Sequence, residues 1–286
     1  MKGIILSGGY GTRLSPLTIP YSKQLLPIYD KPMIYYPLTT LMSLGINDIL
    51  VITTPTDNAL FKRLFKNSNQ WGIKISFAVQ KTPKGIAESF ILAENFIKND
   101  DVTLILGDNI YNGINYIKIK NIINNNFSGS LIFTYKVDNP KRYGVAEVKN
   151  DKVISIREKP KKPKSNLAVT GLYVYDNSVI KIAKNLKPSK RKELEITDVN
   201  KVFIKKKKLN NILLDRGSVW LDAGTFDSLL QSSMYVQTIQ NRQNILIGSP
   251  EEISYLNGWI TKNKFKLIIN NLPKNNYRKY LEQLMS

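Results

Sequence analysis

The chain has 286 residues, 42% of them hydrophobic, enough for one large α/β domain with an appendage or for two small domains, and too many for global disorder. It contains no histidine and no cysteine. This excludes imidazole bases, histidine and thiolate metal sites, disulfides and thiol nucleophiles, and leaves carboxylate, lysine, arginine and hydroxyl chemistry, which suits oxygen-coordinated Mg²⁺ and phosphate.

Lys and Arg number 42 against 22 Asp and Glu, a formal charge of +20. Lys159–Lys164 and Lys205–Lys208 would suit a nucleic acid, but the excess is spread along the chain without a helix-turn-helix or RNA-recognition signature. A solvated basic face is therefore expected, with no specific nucleic-acid partner. Apolar runs such as Val102–Leu106 are far too short to span a bilayer, and the N-terminal Met1–Leu6 runs into a glycine turn rather than a continuous apolar segment. A cytoplasmic protein with no membrane partner is expected.

In chain order, β-rich runs at 3–6, 48–53, 73–79 and 102–106 alternate with helical stretches at 33–44, 58–65 and 87–97, the pattern of βαβ units and a mostly parallel sheet flanked by helices. Such sheets bind ligands beyond the carboxyl ends of their strands. From about residue 130 the pattern turns strand-rich, at 130–136, 144–149, 152–158 and 171–175, with Asn150-Asp151 as a hairpin turn. The tail from 226 reads as helices. Ser249-Pro250-Glu251-Glu252 gives one of them an N-cap, a proline at the first position and a glutamate to complete a capping box. The expected organisation is an α/β domain over 1–225, with halves at about 1–128 and 129–225, and a helical C-terminal extension over 226–286.

The chemistry starts after the first strand. Gly8, Gly9 and Gly11 let backbone N–H groups approach an anion, Thr12 follows, and Arg13 supplies a fork for phosphate oxygens. The loop lacks the Gly-Lys-Ser/Thr end of a Walker loop, and Leu14 stands where a dinucleotide-binding fingerprint has its third glycine. Lys23 and Gln24 lie ahead of the apolar Leu25-Leu26-Pro27. Asp108 follows the strand at 102–106, and Asp222 follows the apolar Val219–Leu221. Two convergent carboxylates with substrate phosphates suffice to hold Mg²⁺.

The glycine loop, the Lys23-Gln24-Leu25-Leu26-Pro27 segment and Lys31-Pro32-Met33-Ile34 together resemble the signature of the sugar nucleotidyltransferases. The likeness continues through Gln80 with Pro83–Ala87, Gly107-Asp108-Asn109, Arg142–Val145, Glu158-Lys159-Pro160, Val169–Tyr173, Glu193–Asp198 and Trp220–Thr225. In density it is similar to the short glucose-1-phosphate thymidylyltransferases. The resemblance implies a Rossmann-like sheet with a strand-rich sugar-binding insertion, and transfer of dTMP from dTTP to glucose 1-phosphate as the first step of dTDP-rhamnose or other deoxysugar synthesis. A cousin using UTP or another sugar phosphate is the alternative.

The resemblance also implies residue roles. Gly8, Gly9, Gly11, Thr12, Arg13, Gln24, Gln80, Gly85 and Asp108 fall at nucleotide positions. Gln80 offers the donor and acceptor that an imide base edge needs. Asn109, Tyr143, Gly144, Glu158, Lys159 and Val169 fall at sugar-phosphate positions. Arg13, Lys23 and Lys159 would act in catalysis, and Asp108 and Asp222 would hold the metal. A homotetramer is implied as well. Some relatives carry a regulatory nucleotide site at a subunit contact, whose histidine and arginine positions are Ile114, Ile117 and Leu256 here.

Overall fold

The computed structural model of the chain describes residues 1–125, 127–149 and 152–285. Its strand β1 (Lys2–Ser7) leads through 3₁₀ turns at Thr12–Leu14 and Lys23–Leu25 to a small hairpin, β2 (Pro27–Ile28) and β3 (Lys31–Pro32), and then to α1 (Tyr35–Ser43). The alternating part continues through β4 (Asp48–Thr53), α2 (Asn58–Leu64), β5 (Lys74–Val79), α3 (Glu88–Leu92), α4 (Glu94–Ile97) and β6 (Val102–Leu106). Next come β7 (Asn109–Asn112), α5 (Tyr116–Asn124), β8 (Ser130–Lys136), β9 (Gly144–Lys149), β10 (Lys152–Glu158) and β11 (Leu167–Tyr175). After α6 (Ser178–Lys184), α7 (Ile196–Lys205), β12 (Leu209–Leu213) and β13 (Val219–Asp222), the last four elements are α8 (Phe226–Gln243), α9 (Pro250–Leu256), α10 (Lys262–Asn271) and α11 (Asn276–Gln283).

Nine strands form one sheet in the order β10-β9-β11-β6-β1-β4-β5, with β8 joined to β11 and β12 joined to β8. The fold is α/β, with helices against a large central sheet. The pairs β6–β1, β1–β4 and β4–β5 are parallel; the near-continuous apolar sequences of β1, β4 and β6 are largely buried, as inner parallel strands require, while β5 at the sheet edge is only partly buried. Beyond β6 the long β11 runs antiparallel and pairs with β6 through its C-terminal residues and with β9 through its N-terminal ones. A register irregularity between Val169 and Tyr173 makes that change of partner possible.

One apolar cluster, with Ile4, Phe90, Leu104, Tyr175 and Phe203, lies on one face of the sheet, and a second, with Ile5, Leu38, Phe61, Phe133 and Trp220, lies on the other. Consecutive residues of β1 serve opposite clusters, as strand geometry dictates. A separate small cluster around Phe265, Ile269 and Leu281 holds the C-terminal helices together.

The expected helix at 87–97 is instead two short helices, α3 and α4, parted at Ala93, where φ −91° and ψ 3° leave the helical region. Phe90, Ala93 and Ile97 nevertheless all pack into the first cluster, so tertiary contact outweighs a continuous hydrogen-bond ladder here. The last strand of the insertion begins at Leu167 rather than 171. Ser249 caps α9 by accepting from the Glu252 N–H, with Pro250 at the first position. Glu252 does not complete the box, because its carboxylate accepts from the Tyr280 hydroxyl at 2.9 Å. The hairpin turn expected at Asn150-Asp151 lies outside the described residues.

Candidate active site

The parallel strands end in register, Ser7 beside Thr53, Thr53 beside Val79 and Leu6 beside Leu106. The residues that follow, Gly8–Gly11, Gln80 and Gly107-Asp108, therefore share one edge of the sheet. Gln80 is buried, donating from Nε2 to Glu88 at 2.7 Å. A Cβ on Gly8 would stand 2.1 Å from the Gln80 Oε1 atom, so the amide occupies the space that glycine vacates. Gly11 adopts φ +63°, which starts the turn carrying Thr12 and Arg13. The Arg13 guanidinium lies over Gly224, 3.0 Å from where a side chain would begin.

Asp108 is the convergence point. Its side chain accepts from the Lys23 ammonium and, at 2.9 Å, from the Asn109 amide, and it keeps 13% exposure. Burial opposes its ionisation, but the charge and hydrogen bond of Lys23 outweigh burial and hold the carboxyl below the usual range. Asp222 is brought alongside by the two-stranded β7–β13 ladder, which sets it opposite Asn109, while the Ala223 N–H donates to the Asp108 carbonyl at 3.0 Å. Asp222 accepts from the Tyr143 hydroxyl at 3.0 Å and lies 3.7 Å from Arg142. Burial pushes the Asp222 carboxyl up, Asp108 adds repulsion, and Tyr143, Arg142 and Arg13 oppose them. Burial and the same aspartate push the Tyr143 phenol up to about 12.

Two carboxylates that repel one another, both at least half turned from water, fit a hard divalent cation completed by phosphate oxygens. No cluster of three or more metal-binding side chains occurs among the described residues, so such an ion would need its substrate to fill its shell.

The other wall comes from the antiparallel half. Glu158, Gly144 and Val169 stand in one row across β10, β9 and β11. Glu158 accepts from the Thr197 hydroxyl at 2.7 Å and meets Arg191 at 3.5 Å. Lys159 is exposed at the mouth, held at φ 40° with its N–H donating to the Tyr143 carbonyl. A cleft of about 230 Å³ joins this wall to Arg13, Asp108 and Asp222.

Some selected residues sit behind the surface. Asn109 is buried, and its Oδ1 accepts from the Trp220 indole at 2.6 Å and the Gly171 N–H at 3.1 Å, so it positions the β7–β13 ladder. Gln24 is buried under Gly107. The close approach that Gly85 permits is to the Leu194 backbone, where a Cβ would meet the carbonyl at 2.4 Å. Ile117 and Leu256 are exposed, while Ile114 packs into the second apolar cluster.

Sequence reasoning placed Arg142 in a matching segment without giving it a role, and passed over Arg191. Arg191 forks onto Glu195 with bonds of 3.1 and 2.7 Å and also meets Glu193 at 3.5 Å, which raises its pKa, chiefly through the Glu195 bond. Its only signal was its place two residues before the Glu193–Asp198 segment.

Two facing carboxylates and a polar cleft at the strand ends of an α/β sheet suit phosphate chemistry, and the chain belongs to the nucleotidyl transferase family, matched over residues 2–239. More particularly, it is 51% identical over 286 residues to the glucose-1-phosphate thymidylyltransferase of Neisseria meningitidis, covering 100% of this chain and 99% of the relative. It is 48% identical over 287 residues to that of Mycobacterium tuberculosis H37Rv, covering 100% and 99%. Among solved structures it resembles a candidate glucose-1-phosphate thymidylyltransferase of Bacillus anthracis, crystallised with sucrose, at 40% identity and TM-score 0.77, over 82% of this chain and 94% of that one. A UDP-glucose pyrophosphorylase shares the fold, with TM-score 0.74 and 23% identity, over 83% of this chain and 98% of that one. Among the described residues, no helix is long and apolar enough to cross a membrane.

Proposed function

We propose that the chain is a Mg²⁺-dependent glucose-1-phosphate thymidylyltransferase, converting dTTP and α-D-glucose 1-phosphate to dTDP-glucose and pyrophosphate. The observation that carries this is the full-length likeness, at about half identity, to relatives of that name. The cleft supplies the chemistry. A sugar phosphate has a second pKa of about 6, so it attacks as a dianion and needs no general base; a chain without histidine or cysteine loses nothing by that.

The residues' task is alignment and charge neutralisation. Arg13 from the glycine loop and Lys23 from the Lys23–Leu25 turn face the triphosphate, and Lys159 with Arg191 flanks the attacking phosphate. Glu158, held by Thr197 and Arg191, accepts from sugar hydroxyls beside Gly144, where a Cβ would stand 3.4 Å from the same carboxylate. Gln80 stands at the base end. Asp108 and Asp222 would hold Mg²⁺, which when bound offsets charge on the triphosphate and the leaving pyrophosphate. A homotetrameric assembly and a cytoplasmic location, as the first step of deoxysugar synthesis, belong to the same proposal.

Pyrophosphate release from the purified protein, measured over five nucleoside triphosphates and several sugar phosphates, tests it. The highest kcat/KM should fall on dTTP with glucose 1-phosphate. A clear preference for UTP or another sugar would move the chain to a sister activity, and no release with any pair would remove the reading.

A further inference from the structure

A second cleft, of about 540 Å³, shares no lining residue with the catalytic one. It lies where the β2–β3 hairpin, the C-terminal end of α8 and the start of α11 meet. Its volume falls within the roughly 300–1,000 Å³ of small-molecule sites.

The lining is unusual for this chain. Three of its thirteen residues are tyrosines, Tyr29, Tyr277 and Tyr280, and six are carboxamides. Gln240 is committed to Asp30, Lys31 and the Ile247 N–H, Asn275 caps α11 and Asn244 donates to Gln283 at 3.3 Å, while Asn241 and Asn276 are exposed. Only Asp30 and Lys279 are charged, in a protein with 42 basic residues. Even Asp30 is matched, with Oδ1 accepting from the Lys31 ammonium at 2.6 Å and Oδ2 from the Gln240 amide at 3.1 Å. The Tyr277 and Tyr280 hydroxyls are committed to Glu251 and Glu252 behind the wall. What these two tyrosines offer the cleft is therefore ring surface.

Tyr29 adds a third observation. It holds φ 58°, a backbone region that bulky residues rarely adopt, in the tight turn between β2 and β3. The residue is 42% exposed and lines the cleft. Strained residues persist where the surrounding structure imposes them, and they cluster at ligand clamps.

We propose that this cleft binds a neutral saccharide. The exposed Asn241 and Asn276 amides carry donors and acceptors together, the pairing that neighbouring hydroxyls present, and they do so without desolvating a charge. Tyrosine rings give the apolar C–H face of a pyranose a flat, rigid partner at little entropic cost. A phosphorylated sugar or nucleotide would want an arginine fork or several cations, and the lining has a single lysine.

Saturation-transfer NMR on the whole protein with D-glucose, maltose and lactose as probes decides the matter, using wild type, a Tyr29→Ala/Asn241→Ala double variant and Glu158→Gln. Both residues of the double variant are exposed, so folding and turnover should be unchanged. We expect transfer to at least one saccharide, weakened about tenfold in the double variant and retained in Glu158→Gln. No transfer to any of the three sugars overturns the proposal. So does a signal that survives the double variant but is lost in Glu158→Gln, because the sugar would then lie in the catalytic cleft. Neither outcome bears on the nucleotidyltransferase reading, which pyrophosphate release tests separately.

Discussion

Asp222→Asn is the cleanest single-residue test of the catalytic edge. The amide oxygen still accepts from Tyr143, and shape is nearly kept, so what disappears is the anion. We expect kcat to fall roughly a hundredfold or more with KM for both substrates little changed, measured by steady-state pyrophosphate release at saturating Mg²⁺. Asp108→Asn should fall at least as far, but it also strips Lys23 of its counter-charge, so its loss has two causes. Gly8→Ala addresses the base end: the new methyl collides with the Gln80 Oε1 atom at 2.1 Å, and Gln80 is tied to Glu88 and buried. Overpacking of this kind costs about 1–3 kcal/mol, so KM for dTTP should rise roughly tenfold to a hundredfold while circular dichroism stays native. An unchanged KM would mean that Gln80 does not read the base. Asp108 and Gln80 were legible because each follows an apolar strand, where the chemistry of a parallel sheet collects. Arg191 was not, since the stretch from Leu186 to Glu195 has no periodicity and only folding lays it against Glu158.

At the scale of elements, Lys31 joins the β2–β3 hairpin to the C-terminal helices. Its ammonium is buried, donates to Asp30, to the Gln240 amide at 3.3 Å and to the Ile247 carbonyl at 2.9 Å, and lies 5.6 Å from the Tyr277 ring centre. Burial, the larger influence, lowers its pKa against the attraction of Asp30. Removing one partner of a buried pair leaves the other uncompensated, typically costing about 3–5 kcal/mol. Asp30 retains 22% exposure, so Lys31→Met should cost less, about 2–3 kcal/mol, read by denaturant unfolding. Ser249→Ala should cost about 1 kcal/mol through the lost α9 cap, with kinetics unaffected. The cap was visible in the sequence because capping is local. The β7–β13 ladder was not, because 222 and 109 are joined by a pairing that no local pattern announces. Nor was the break at Ala93, where the core overrides a continuous helical stretch.

For the whole molecule, the question is what a charge of +20 does. Acidic groups such as Asp30, Asp48, Asp108 and Glu195 are already engaged by internal cations, so the uncompensated charge is largely exposed lysine. The Lys205–Lys208 run has a structural reason to exist. It lies at the C-terminal end of α7, where cations offset the negative end of the helix dipole, and Lys208 also donates to the Ser128 hydroxyl at 3.2 Å. Lys161, Lys162 and Lys164 are exposed beyond β10, away from any groove-reading element. A surface of this kind attracts polyanions by releasing their counterions and does not distinguish sequences. In fluorescence anisotropy with labelled duplex DNA, affinity at physiological salt should be weaker than about 10⁻⁶ M, fall steeply as salt rises, and be equal for unrelated sequences. Tight binding that selects one duplex and persists in high salt would instead mean that the basic face is a recognition surface.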